Sequence, residues 1–371
     1  MQRKIFSIII LIVILTISLI YVVKYNFTGE KQINLVELKE ASYYQKLAGG
    51  AVQCQLCPRF CVLAEGETGF CRVRKNIQGK LYSLVYGQPV SVHLDPIEKK
   101  PLFHFLPGTA AYSIATVGCN LRCLYCQNWE ISQSSPERVE SVKMTPEQVV
   151  EQALASGAKS IAYTYSEPTV FYEYMLETAK LAREKGLKNV MISAGYINSE
   201  PLKQLSPYLD AIKIDLKAFN NGFYKRIVGG ELEPVLETLK TIKKQGVWLE
   251  IVYLVIPGEN DQPEEIKMMS RWIKENLGED VPLHFSRFHP MYKLINLPPT
   301  PEQTVKDLRK IALKEGLKYV YTGNLGDEET ESTYCPASKQ TAIKRQGYFI
   351  KETNLIDGQC FDGEKIPGVW E

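Results

Sequence analysis

The sequence predicts an α/β fold, a partial (β/α)6 barrel of the TIM type. Between about Thr109 and Gly323, short apolar runs alternate with longer helical patterns, the signature of repeated βα units and a parallel sheet. The first run, Tyr112–Val117, is β-branched and apolar, as a buried strand should be. The residues that carry chemistry fall just after such runs, at the strand carboxyl ends where α/β folds place their sites. An open doubly wound sheet is the alternative, and it too would carry its site at those ends.

The expected strands are Ser113–Val117, Ser160–Thr164, Asn189–Ser193, Ala211–Asp215, Trp248–Leu254 and His284–Phe288. Helices between them carry start signals. Thr145-Pro146-Glu147 offers an N-cap and a first-turn proline ahead of Val149, Val150, Ala153 and Leu154. Asp261-Gln-Pro-Glu-Glu opens another helix, which ends near Gly278. A seventh unit, helix Thr304–Lys314 and strand Lys318–Thr322, would extend the six.

The chain has 371 residues, enough for one large domain with appendages. Its net charge of +2 provides no global field to recruit nucleic acid or an anionic surface, so no nucleic-acid partner is expected. The nine cysteines are odd in number and mostly clustered, which reads as metal or cluster ligation in a reducing compartment.

Residues 1–25 read as a single transmembrane anchor. Ile5 to Val23 is uncharged and, at about 1.5 Å per residue, nearly spans the ~30 Å hydrocarbon layer. No small-residue cleavage site follows, which argues against a signal peptide. Arg3 and Lys4 would place the body outside by the positive-inside rule. The chemistry argued below needs cytosolic reagents and favours a membrane protein with a cytoplasmic body. Residues 26–50 read as a linker with a short helix, on the pattern Leu35, Leu38, Tyr43, Leu47.

Residues 51–108 form a cysteine-rich lobe. Cys54, Cys57, Cys61 and Cys71 are spaced C-x2-C-x3-C-x9-C, able to close a tetrahedral zinc site or to hold an iron–sulfur cluster. Lys80–Tyr86 reads as a strand after the Asn76–Gly79 turn. Asp95-Pro-Ile-Glu-Lys-Lys-Pro101 reads by itself as a solvated, charged loop.

The stretch Ala115–Asn128 holds Cys119, Cys123 and Cys126, spaced C-x3-C-x2-C just past the first barrel strand. A cubane cluster normally takes four thiolates. Three would leave one iron open to a small molecule. A structural zinc site would need a fourth ligand, and no Cys or His follows within the loop.

Three stretches carry a resemblance: Asp95–Phe105, Cys119–Trp129 and Tyr163–Thr169. They are similar to the radical S-adenosylmethionine (SAM) proteins of the AmmeMemoRadiSam system, relatives of the pyruvate formate-lyase activating enzymes. The match runs from about Cys54 to the C-terminus. It implies a radical SAM core at 109–325. Cys119, Cys123 and Cys126 would hold a [4Fe-4S] cluster whose open iron binds SAM. Reductive cleavage would yield methionine and a 5′-deoxyadenosyl radical that takes hydrogen from a substrate, which in activating enzymes is a protein. A low-potential electron donor and Amme- and Memo-type proteins would be partners. Glu167 and Pro168 match a Gly-Gly-Glu-Pro stretch that binds the SAM amine, with Tyr165 and Ser166 in place of the glycines. Ala194 stands where relatives carry Asn, leaving Ser193 or Asn198 to substitute. Asp215 and Lys217 share one strand face by period two and match residues beside the SAM carboxylate. His284, Arg287 and His289 are further candidates to face substrate.

The tail, 326–371, departs from the pattern. Relatives carry two C-x2-C knuckles there, and this chain keeps only Cys335 and Cys360, a degenerate zinc ribbon expected to hold no metal. A different class of function also fits the bare cysteines: a membrane-tethered iron–sulfur or zinc module for electron transfer or partner docking.

Overall fold

The computed structural model describes residues 38–371, and residues 39–371 form one compact unit. Its centre is an eight-stranded sheet: β1 (Ser91–Pro96), β2 (Ala110–Ala115), β3 (Ser160–Tyr163), β4 (Lys188–Ser193), β5 (Ala211–Asp215), β6 (Trp248–Val255), β7 (Leu283–Arg287) and β8 (Val320–Gly323). The strands lie side by side in chain order. β2 to β8 are parallel, and β1 pairs antiparallel with β2. Strand order never reverses, so the doubly wound alternative falls. The six expected strands and the seventh at Lys318–Thr322 are present as β2 to β8, and β1 adds an antiparallel edge.

The strands form where apolar runs have nothing but core on both faces. β3 is buried at every position, and β5 at all but Asp215. The helices are α1 (Pro146–Ala155), α2 (Tyr172–Glu184), α3 (Ser199–Leu205), α4 (Leu232–Gln245), α5 (Pro263–Asn276) and α6 (Glu302–Lys314). Each buries one stripe: α4 turns Val235, Leu236, Leu239 and Ile242 inward, the three- and four-residue spacing of an amphipathic helix. α1 begins with a full capping box, Thr145 and Gln148 each bonding the other's backbone N–H.

Several expectations are corrected. The single-pass anchor is not supported. No helix among the described residues is long and apolar enough to cross a membrane. The longest, α4 and α5, have 14 residues each, about 21 Å at 1.5 Å per residue against a ~30 Å hydrocarbon layer. Ile5–Val23 lies outside the described residues. The transmembrane element and the membrane localisation are therefore withdrawn. The linker helix is also absent where described: Lys39–Glu40 and Tyr44–Lys46 are short strands, because each pairs with a strand of the cysteine-rich lobe.

Asp95–Pro101 is not a solvated loop. It completes β1, and Asp95, Glu98 and Lys100 are buried. Burial is tolerable because the charges are paired: Lys99 and Lys100 both bond Asp95, at 2.8 and 2.6 Å. The tail forms a three-stranded antiparallel sheet, Thr333–Tyr334, Thr341–Gln346 and Phe349–Thr353, and Cys335 and Cys360 join in a disulfide.

A buried polar cluster ties this tail to the barrel floor. His104 bonds Pro367 O through Nδ1 (2.8 Å) and the Tyr321 hydroxyl through Nε2 (2.6 Å). Glu250 accepts from the Phe103 and His104 backbone and meets His284 at 2.7 Å. Burial pushes the His104 imidazole down to about 4, seconded by Arg345 and His284 and opposed by Glu250 and the Pro367 carbonyl. Between about pH 6.5 and 4 the unfolded chain therefore binds a proton there that the folded chain refuses. Stability should fall with acid across that window by up to ~1.4 kcal/mol per pH unit. Thermal unfolding of His104→Gln and wild type at pH 7.5 and 5 checks this: the variant should lose less of its stability on acidification.

Candidate active site

The carboxyl ends of β2 to β5 bring the predicted residues together. The loop after β2 carries Cys119, Cys123 and Cys126, all free thiols. Cys123 is buried and the others are partly so. The loop is held from its own sides. Arg122 bonds the Cys119 and Leu121 carbonyls, both at 2.8 Å. Asn128 Nδ2 donates to Tyr165 O at 2.8 Å, and the Cys126 sulfur lies 3.3 Å from the Ser132 hydroxyl. Gly118 is required at the loop's entrance. Its φ is +102°, and a Cβ there would stand 2.6 Å from Val73 Cγ1 and 2.8 Å from Cys71 O.

After β3, Tyr165 adopts φ +62°, the left-handed region that glycine enters freely and a bulky side chain does not. Tyr165 thus holds under strain a backbone conformation that glycine would adopt freely. Its ring is fixed: the hydroxyl bonds Asp95, and Lys100 Nζ lies 4.4 Å from the ring centre. The Asp95–Pro101 segment therefore sits beside the site.

Glu167 is buried and takes four bonds: Thr169 N at 3.1 Å and Oγ1 at 2.8 Å, Ser193 Oγ at 2.6 Å and Ala194 N at 2.9 Å. One carboxylate thus fastens the end of β3 to the end of β4. Ser166 Oγ donates to Thr116 O (2.7 Å) and fastens β3 to the loop after β2. Asn198 is committed elsewhere, with Nδ2 donating to Gln55 O at 2.7 Å.

At the end of β5, Asp215 lies between two ammonium groups, Lys213 and Lys217, the latter at 3.0 Å. Burial works against its charge, yet the two lysines hold its carboxyl down to about 2. Burial pulls Lys213 below its usual range, while Asp215 and the nearby Tyr125 and Cys123 hold Lys217 well above it despite burial. Sequence reasoning missed Lys213. Its signal was present: Lys213, Asp215 and Lys217 recur at period two and so share one face. The cluster carries one surplus positive charge, suited to a carboxylate. His284, Arg287 and His289 do not join it. His284 is engaged by Glu250, Arg287 by Thr300 and Glu302, and His289 is exposed.

Two features test whether these residues fit a cluster and SAM. Among the described residues, no three His, Cys, Asp or Glu side chains converge on one point as a single metal ion requires. Three thiolates can serve a four-iron cluster with one iron left open, whereas a structural zinc site would lack its fourth donor. The Tyr125 hydroxyl is buried with no hydrogen-bond partner among the described residues, and it lies within the electrostatic reach of Cys123, Lys217 and Asp215. A buried polar atom without a partner is costly, and a polar ligand between these groups would satisfy it. The site fits.

Comparison with known proteins decides the family. Residues 113–270 match the model of the Radical SAM superfamily. An uncharacterized protein of Methanocaldococcus jannaschii is 49% identical over 318 residues, covering 86% of this chain and 95% of that one. The chain belongs to the radical SAM superfamily. Its homologues include pyruvate formate-lyase activating enzymes. The enzyme from Staphylococcus epidermidis is 26% identical over 53% of this chain and 86% of its own. The pyruvate formate-lyase 1-activating enzyme of Escherichia coli K12 is 22% identical over 55% of this chain and 89% of its own. Membership of the radical SAM superfamily implies a [4Fe-4S] cluster and bound SAM.

Proposed function

We propose that this radical SAM enzyme acts on a protein, as a hydrogen-abstracting activase of the kind its activating-enzyme homologues are named for. When bound, the cluster and SAM supply the chemistry: reductive cleavage to methionine and a 5′-deoxyadenosyl radical that takes hydrogen from substrate. Cys119, Cys123 and Cys126 would hold the cluster. Burial pushes the Cys123 thiol up to about 11 against the pull of Lys217. Asp215, flanked by Lys213 and Lys217, would receive the amino-acid end of SAM, with the surplus positive charge facing its carboxylate. Glu167 and Ser166 position the strand ends, and Ser193 locks Glu167.

The observation that carries this reading is the count of three thiols after β2 within electrostatic reach of Asp215, held by Lys213 and Lys217 at the end of β5. An electron carrier normally closes all four iron positions, so the carrier reading loses ground. A protein substrate is supported by the rim beside the loop. There Trp129 stacks on Tyr292 with ring centres 5.2 Å apart, and Met291 and Ile295 are exposed. Exposed apolar groups gathered at a site mark a contact surface.

The test is anaerobic incubation of the reconstituted full chain with SAM and a strong reductant. 5′-Deoxyadenosine and methionine are expected in equal amounts. An intact cluster whose spectrum ignores SAM, with no deoxyadenosine formed, would return the carrier reading.

A further inference from the structure

Cys54, Cys57, Cys61 and Cys71 lie outside the site described above, yet all four line one small cavity. All four are free thiols, although the two tail cysteines have joined. The sulfurs of Cys71 and Cys61 lie 3.8 and 3.9 Å from the position a Cβ on Gly69 would take, so one small glycine leaves room for both. Two further polar groups line the same cavity. Arg74 is 2% exposed and Asn120 is 1% exposed. Arg74 Nε and Asn120 Oδ1 have no hydrogen-bond partner among the described residues. The rest of each side chain is held: Arg74 pairs with Glu173 at 3.1 Å, and Asn120 Nδ2 donates to Tyr196 O at 2.7 Å.

We propose that Cys54, Cys57, Cys61 and Cys71 hold a second iron–sulfur cluster, of the four-thiolate kind. Four soft donors and a buried guanidinium suit an anionic metal–sulfide core, and the free Arg74 N–H can donate to it. The lobe is packed on the active loop. Cys71 O presses against Gly118, the residue before Cys119. Arg122 bonds both Phe70 O and Cys119 O, and Arg59 Nε donates to Asn120 O at 3.0 Å. The two cysteine sets are thus backbone neighbours. This inference goes beyond the radical SAM reading and stands on a different set of residues.

The test uses the full chain, reconstituted anaerobically with iron and sulfide, in three forms: wild type, C119A/C123A/C126A, and C54A/C57A/C61A/C71A. Iron should fall from about eight per chain to about four in each variant. The first variant should keep a reducible four-iron signal in electron paramagnetic resonance that ignores SAM. The second should keep a signal that SAM changes. A C119A/C123A/C126A protein with no iron and sulfide, or with one zinc in their place, overturns the proposal, and this arm does not depend on the second variant folding. Four irons in that protein, together with a wild type whose signals all ignore SAM, would uphold the second cluster while sinking the radical SAM reading.

Discussion

Cys123→Ala should reduce 5′-deoxyadenosine formation from SAM to the background of the uncatalysed reaction. Cys123 is the middle thiol of three and is buried on the loop after β2. Its charge also couples to Lys217 and Asp215, so its loss removes a cluster ligand where SAM is proposed to bind. Two thiolates are half the number a four-iron cluster normally takes, and no other Cys or His on the loop can substitute. The effect should be catalytic and not a failure to fold. An apolar alanine replaces a small buried group, so the unfolding midpoint should move little. Quantifying deoxyadenosine beside a urea titration separates the two. A variant with more than a tenth of wild-type turnover would mean that Cys123 is not a ligand.

Glu167→Ala should act on stability and binding together. The carboxylate accepts from Thr169 N, Thr169 Oγ1, Ser193 Oγ and Ala194 N. Its removal strands four buried donors, each costing about 1–3 kcal/mol when left unpaired. Relaxation and water entry will recover part, so a loss of about 3–5 kcal/mol is expected, at the upper end for one substitution. Freed from each other, the ends of β3 and β4 should also hold SAM more weakly, by at least tenfold in Kd. Glu167→Gln keeps the shape and one acceptor, and should fall between. Urea denaturation and calorimetric titration with SAM read both quantities. A Glu167→Ala protein as stable as wild type would remove the claim that this carboxylate fastens the strand ends.

Much of this was legible in the residues because the decisive signals are local. Apolar runs marked β3, β4, β5 and β6 to within about two residues, since buried parallel strands have no polar face to confuse the pattern. The Thr145 cap and Pro146 set the start of α1 to the residue. What escaped was non-local. The Asp95–Pro101 segment reads as charged, and the pairing of Asp95 with Lys99 and Lys100 makes its burial tolerable. Lys213 sits between isoleucines and looks like a strand irregularity until Asp215 is seen to be shared. The role of Tyr165 depends on a φ angle that no side-chain pattern reports. The Leu35–Leu47 pattern failed from Leu38 onward because sheet partners in the lobe outcompeted a weak helical period. Among the site residues, the cysteine spacing was plain, whereas the four donors to Glu167 come from two strand ends far apart in sequence.

The central claim is an iron left open by the protein. Mössbauer spectroscopy of C54A/C57A/C61A/C71A, reconstituted with 57Fe so that only the Cys119 loop is loaded, tests it most directly. One iron of four should differ from the rest and shift when SAM is added. Four irons with equivalent sulfur coordination, unmoved by SAM, would contradict the account.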